Sequence, residues 1–149
     1  MHTIVISGAY SNIGKTTLAN NIKHDLGDAS VEIIKIGHNK AKPSKSTRLF
    51  NSCDEALEYI NNLNNLDYLI IESNSILEFI TPDLTIYLMN YAKPEKDSSL
   101  IAKKMADIII DKDFDPNNAK VVTNLKLDNI TISDALISQY NYMFAKGDI

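Results

Sequence analysis

Apolar residues gather along the chain in short runs, and the polar stretches between them do not all have the same pattern. The runs "TIVIS" (3–7), "VEIIKI" (31–36), "DYLII" (67–71), "LTIYLM" (84–89), "DIII" (107–110) and a weaker "KVVT" (120–123) are rich in β-branched residues and have the length of strands. After the first run, Leu18, Ile22 and Leu26 recur every four residues, which predicts an amphipathic helix stopped by Gly27. After the second, "SCDEALEYINNLNNL" opens with Ser52 and Glu55 in capping-box spacing and puts Ala56, Ile60 and Leu63 on one helix face. The pattern further predicts a short helix over "DSSLIAKKMA" and a closing helix over "TISDALISQYNYMFAK", with Ile132, Leu136, Tyr140 and Met143 along one side. Strands alternating with helices argue for an α/β fold: a mostly parallel sheet with helices on both faces and right-handed crossovers. Two segments fit neither period. Residues 37–51, "GHNKAKPSKSTRLFN", read as a polar, basic loop, and residues 111–119, "DKDFDPNNA", as an acidic, turn-prone one.

With 149 residues and 44% hydrophobic content, the chain matches one globular domain spanning 1–149. The net charge of −4 and the scattered lysines argue against a protein that holds nucleic acid through a general positive field. Neither a signal-peptide pattern nor an apolar run of membrane-spanning length is visible, so a cytoplasmic protein without membrane contact is expected. The single cysteine, Cys53, has no internal disulfide partner and reads as a small, half-buried residue beside a helix cap.

The stretch "TIVISGAYSNIGKTTLANNIKHDLG" (3–27) changes this picture most, because it carries a candidate phosphate cradle. In such a cradle a strand leads into a turn whose N–H groups point at phosphate oxygens, and a helix start adds the positive end of its dipole. A lysine reaches the outer phosphates and the next hydroxyl holds Mg²⁺. Here the strand ends at Ser7, the loop runs from Gly8 to Gly14, and Lys15, Thr16 and Thr17 open the helix. Five residues separate Gly8 from Gly14, one more than the usual four, and counting from Ala9 restores the spacing. The candidate nucleotide-binding residues are therefore Ala9, Asn12, Ile13, Gly14, Lys15, Thr16 and Thr17. A metal-holding acid is also needed. Glu72 ends the third strand on the edge where parallel strands present their ligand-binding loops, whereas Asp67 starts that strand at the opposite edge and reads as a solvated turn residue. Lys15 and Glu72 are the candidate catalytic residues, and Thr16 and Glu72 the candidate metal ligands.

At these residues the chain resembles the P-loop NTPases, a resemblance that implies their three-layer fold. The loop "GAYSNIGKTT" is laid out like that of dethiobiotin synthetase, although this chain is considerably shorter. The resemblance to the MobB family, nucleotide-binding adaptors of molybdenum cofactor biosynthesis, extends over about the first half of the chain. It includes "IIKIGHNKAKPSKSTRLF" and the strand end "IIES". Ser73 and Asn74 depart from both families, which place small residues after the acid. The guanine-reading Asn-Lys-x-Asp pattern is not intact around Asp111 and Lys112, so ATP and GTP both stay open.

The basic loop carries His38, Lys40, Lys42, Lys45 and Arg48 after a strand whose end faces the cradle. It is either a second anion site, formed by His38, Lys42, Lys45 and Arg48, or ordinary solvated surface. No His/Cys cluster has the spacing of a structural zinc site. The resemblance implies Mg²⁺-dependent binding and slow hydrolysis of ATP or GTP by an adaptor in cofactor assembly. A phosphorylated cofactor precursor or a partner enzyme would be the second ligand, and a homodimer is among the expected assemblies. The alternatives are a small-molecule kinase or ligase of the dethiobiotin synthetase type, or a nucleotide-binding regulatory module without turnover. Arg48 is the only arginine in the chain, which argues against a nucleoside monophosphate kinase.

Overall fold

The computed structural model describes residues 1–10, 13–37, 47–89, 94–95, 97, 99–111 and 142–144. The chain forms strand β1 (His2–Gly8), helix α1 (Lys15–Asp25), strands β2 (Val31–Ile36) and β3 (Thr47–Phe50), and helix α2 (Cys53–Asn61). It continues with strand β4 (Tyr68–Glu72), a 3₁₀ turn (Ser75–Glu78), strand β5 (Leu84–Met89), helix α3 (Ser99–Met105) and strands β6 (Ile108–Asp111) and β7 (Tyr142–Phe144). The strands make one sheet in the order β3-β2-β4-β1-β5-β6-β7. Every neighbouring pair is parallel except β6 and β7, which are antiparallel.

The central strands are buried because their sequences lack a polar face. Ile4, Val5 and Ile6 of β1 and Leu69, Ile70 and Ile71 of β4 are all fully buried. Consecutive strand residues point to opposite faces, so both faces of the sheet are covered at its centre. Helix α1 packs on β1, β2 and β4 through Leu18, Ala19 and Ile22. Leu26 caps it, and Gly27 follows at φ 63°, the left-handed turn that glycine accepts readily. Ser52 caps α2 by accepting from the Glu55 N–H at 3.2 Å, while the Glu55 carboxylate takes the Asn51 N–H at 3.4 Å. Helix α3 rests on β1 and β5, and the buried Tyr87 hydroxyl joins it to β5 by donating to Ser99 Oγ at 3.1 Å. Burial raises the Tyr87 pKa.

Three expectations from the sequence are corrected. Within the supposed loop 37–51, Thr47–Phe50 form a strand that pairs in parallel with β2, Ile33 opposite Thr47 through Ile36 opposite Phe50. The surrounding lysines hide the short "TRLF" pattern, and the exposed Arg48 suits a strand that ends a sheet. Tyr142–Phe144, placed by periodicity within a closing helix, form β7. The open edge of β6 supplies backbone partners that a local helical period does not reveal, and one antiparallel edge strand on a parallel sheet is a common arrangement. Asp111, expected to open the acidic turn 111–119, instead ends β6 opposite Met89. The remainder of that turn, the weaker strand at 120–123 and the rest of the closing helix lie outside the described residues.

Candidate functional site

The strand order decides where a ligand can bind. From β1 the chain passes to β2, leaving the place next to β1 for β4, and β5 then adds on the other side of β1. The carboxyl ends of β1, β4 and β5 thus meet where the winding reverses, the crevice that open α/β sheets use for ligands. The loop after β1, the start of α1 and Glu72 all lie at this edge.

The loop doubles back tightly. A methyl group on Gly8 would fall 2.7 Å from Ile13 Cγ2 and 3.4 Å from Lys15 Cδ, so only glycine fits where the loop closes over its own entrance. Gly14 precedes α1 at φ 118°, ψ 17°, a conformation that strains any residue with a Cβ. Being glycine, it supplies no side-chain cap, and the first turn of α1 has no acidic residue. The start of α2 is different, with Ser52 as cap and Asp54 and Glu55 in its first turn. Side-chain oxygens and carboxylates therefore complement the start of α2, while the start of α1 has neither a capping side chain on Gly14 nor an acid in its first turn to offset the positive end of its dipole.

Thr16 Oγ1 donates to Glu72 Oε1 at 2.7 Å. Glu72 is 1% exposed, and its other oxygen, Oε2, is buried without a hydrogen-bond partner. Burial pushes the Glu72 carboxyl above its usual range, opposed by the Thr16 hydroxyl and then by the ammonium groups of Lys35 and Lys15. Lys35 stands opposite Glu72 in the β2–β4 register. A buried carboxylate with an unused oxygen, beside a threonine hydroxyl at a helix start, is costly unless a cation or proton completes it. This donor set is oxygen-only and suits Mg²⁺, which favours one or two protein oxygens and completes its shell with water or phosphate oxygens. Among the described residues there is no group of three or more His, Cys, Asp or Glu side chains able to hold a metal by itself.

The structure thus brings Gly14, Lys15, Thr16 and Glu72 to one edge. Ala9 is buried and donates its N–H to Leu88 O at 2.9 Å, extending the β1–β5 ladder. The Ile13 side chain is buried, and Thr17 is exposed on the first turn of α1. Asn12, His38, Lys40, Lys42 and Lys45 lie outside the described residues. Arg48, expected beside the cradle, is engaged elsewhere. It pairs with Ile34 at the outer edge of the sheet, its Nε is 3.5 Å from Glu32 Oε1, and its guanidinium lies 4.7 Å above the Tyr59 ring. Glu32 precedes Ile34 on β2, so these contacts draw Arg48 towards the amino end of the strands. The Tyr59 hydroxyl donates to the same Glu32, and burial and Glu32 together raise its pKa. Asp67 is exposed, as expected of a turn, but it is not without partners. Its carboxylate accepts the Ser30 N–H at 2.9 Å, and its own N–H donates to Ser30 Oγ at 2.8 Å.

Reasoning from sequence missed the turn after the acid. Ser73 is buried, donates its N–H to Ile6 O at 3.0 Å and accepts the Ile76 N–H in the first turn of the 3₁₀ segment through its hydroxyl. Asn74 joins the backbone of Gly8 through two hydrogen bonds, each of 2.9 Å. The departure of "ESNS" from the small-residue turn of the resembling families was the signal available.

No protein-family model, curated protein or solved structure matches the chain.

Proposed function

We propose that this chain is a P-loop NTPase of three-layer architecture that binds ATP or GTP with Mg²⁺ and hydrolyses it slowly. The supporting observation is the pairing of Thr16 with a buried Glu72 whose second oxygen has no partner, at the mouth of a loop that closes on Gly8 and opens into an uncapped helix. In this reading the Lys15 ammonium meets the outer phosphates and the start of α1 receives phosphate oxygens. Thr16 and Glu72 would hold Mg²⁺, whose bound charge offsets that of the β- and γ-phosphates. Glu72 is suited to this role because its burial cost is relieved when a cation arrives. The "IIKIGHNKAKPSKSTRLF" and "IIES" segments support a MobB-like adaptor role, with a phosphorylated cofactor precursor or partner enzyme as second ligand.

Calorimetric titration with ATP and GTP, with Mg²⁺ present, tests this reading. Wild type binds one of them, and Lys15→Ala weakens binding by about tenfold or more, since a hydrogen bond to a charged group contributes about 1.5–3 kcal/mol. Equal affinity of the two proteins, or no binding by wild type, overturns it.

A further inference from the structure

Glu72, Ser73 and Asn74 are consecutive, yet they grip the candidate phosphate loop at both of its ends. Glu72 takes the hydroxyl of Thr16, just past the loop's exit, and Asn74 takes the backbone of Gly8 at its entrance. The sheet geometry explains how. Strand β4 pairs with β1 only as far as Ile6 opposite Glu72, and the Ser73 N–H still reaches Ile6 O. On its other side β1 continues to Gly8 opposite Leu88. Without Asn74, the N–H and C=O of Gly8 that face β4 would lose their protein partner just where the chain leaves the sheet. The Asn74 carboxamide sets an N–H donor beside a C=O acceptor, so it can match both polar groups of a peptide unit. Its Oδ1 accepts the Gly8 N–H and its Nδ2 donates to the Gly8 C=O, so a side chain continues the ladder by one step.

We infer that Asn74 is a positioning residue for nucleotide binding: it fixes the entrance of the phosphate loop so that the loop's N–H groups are set before the phosphates arrive. This deepens the proposed function and rests on it. A loop already held in its binding conformation loses less entropy when the ligand binds, which raises affinity without any contact between Asn74 and the ligand. Asn74 acts through the backbone of the loop, and Glu72 acts through the metal. Their substitutions must therefore respond differently to magnesium.

The test measures ATP and GTP affinity of wild type, Asn74→Ala, Asn74→Asp and Glu72→Gln, each in Mg²⁺ and in EDTA. Asn74→Asp keeps the shape and the acceptor but sets a carboxylate oxygen against the Gly8 C=O, and Asn74→Ala removes both bonds without adding charge, so a loss shared by the two variants is not an effect of charge. Loss of either hydrogen bond weakens binding by about tenfold for the Asn74 variants, by the same factor with and without Mg²⁺. Glu72→Gln weakens binding only when Mg²⁺ is present. Unchanged affinity in a folded Asn74 variant, even with a lowered melting temperature, overturns the inference and leaves Asn74 a purely structural residue. A loss confined to Mg²⁺ overturns it as well, because Asn74 would then act through the metal. Failure of wild type to bind either nucleotide overturns the proposed function instead, and with it the role inferred for Asn74.

Discussion

At the residue scale, the site depends on close approach as much as on charge. Gly8 is needed because the loop returns to within contact distance of its own start, with Ile13 Cγ2 only 2.7 Å from where a Cβ would stand. Gly8→Ala forces that methyl or the backbone to move. Overpacking of this kind costs about 1–3 kcal/mol. The variant is expected to melt earlier and to bind nucleotide more weakly. In an Ile13→Ala background, which lacks the opposing methyl but carries the cost of its own cavity, Gly8→Ala is expected to cost less than it does in wild type. Calorimetry and thermal melts on the single and double variants check this, and an equal loss in the two backgrounds would show that the contact with Ile13 is not the cause.

At the scale of elements, polar side chains fasten the ends of strands and helices that apolar packing alone leaves loose. Asp67 leads into β4 and binds Ser30, just before β2, so one turn aligns the starts of two parallel strands. The backbone N–H and side chain of Ser30 hold the Asp67 carboxyl below its ordinary value of 3.8. A depressed carboxyl contributes stability above its unfolded-state pKa and loses it as pH falls through the folded-state value. Wild type is therefore more stable than Asp67→Ala at pH 7, and the gap narrows as pH falls below about 3.8. Denaturant unfolding of both proteins at pH 7 and near pH 3 measures the gap, and a difference independent of pH would remove the charge from the explanation. The outer edge is fastened similarly: Glu32 receives both Arg48 and Tyr59, and Phe50 packs against Tyr59 at 5.1 Å between ring centres, tying β2, β3 and α2 together.

At the scale of the whole molecule, stability is expected to fall from the centre of the sheet outwards. Strands β1, β4 and β5 are covered on both faces, whereas β3 has a single strand neighbour and the exposed Arg48. Native-state hydrogen exchange should therefore show the amides of Val5, Ile70 and Ile86 opening only with global unfolding, and those of β3 opening earlier. Equal protection throughout would mean that the edge strand belongs to the same cooperative unit as the centre. The candidate site is built across both regimes. Its acid and loop entrance stand on two buried central strands, β4 and β1, and the side chain that joins them, Asn74, belongs to the turn beyond β4.

The sequence by itself determined whatever short-range physics dictates. The bounds of β2 and β5 agree with their apolar runs, α1 follows its four-residue period to Gly27, and Ser52 caps α2 as the spacing with Glu55 requires. The order of strand, glycine loop, lysine and threonine was legible for the same reason, since those residues are neighbours in the chain. Only the tertiary structure decided what pairs across it. Thr47–Phe50 and Tyr142–Phe144 are strands because β2 and β6 offer open edges, and Arg48 turns to Glu32 because the register puts Arg48 beside Ile34, two residues on from Glu32. The clamp between Asn74 and Gly8 joins residues far apart in sequence, and it exists because β4 ends one step before β1 does.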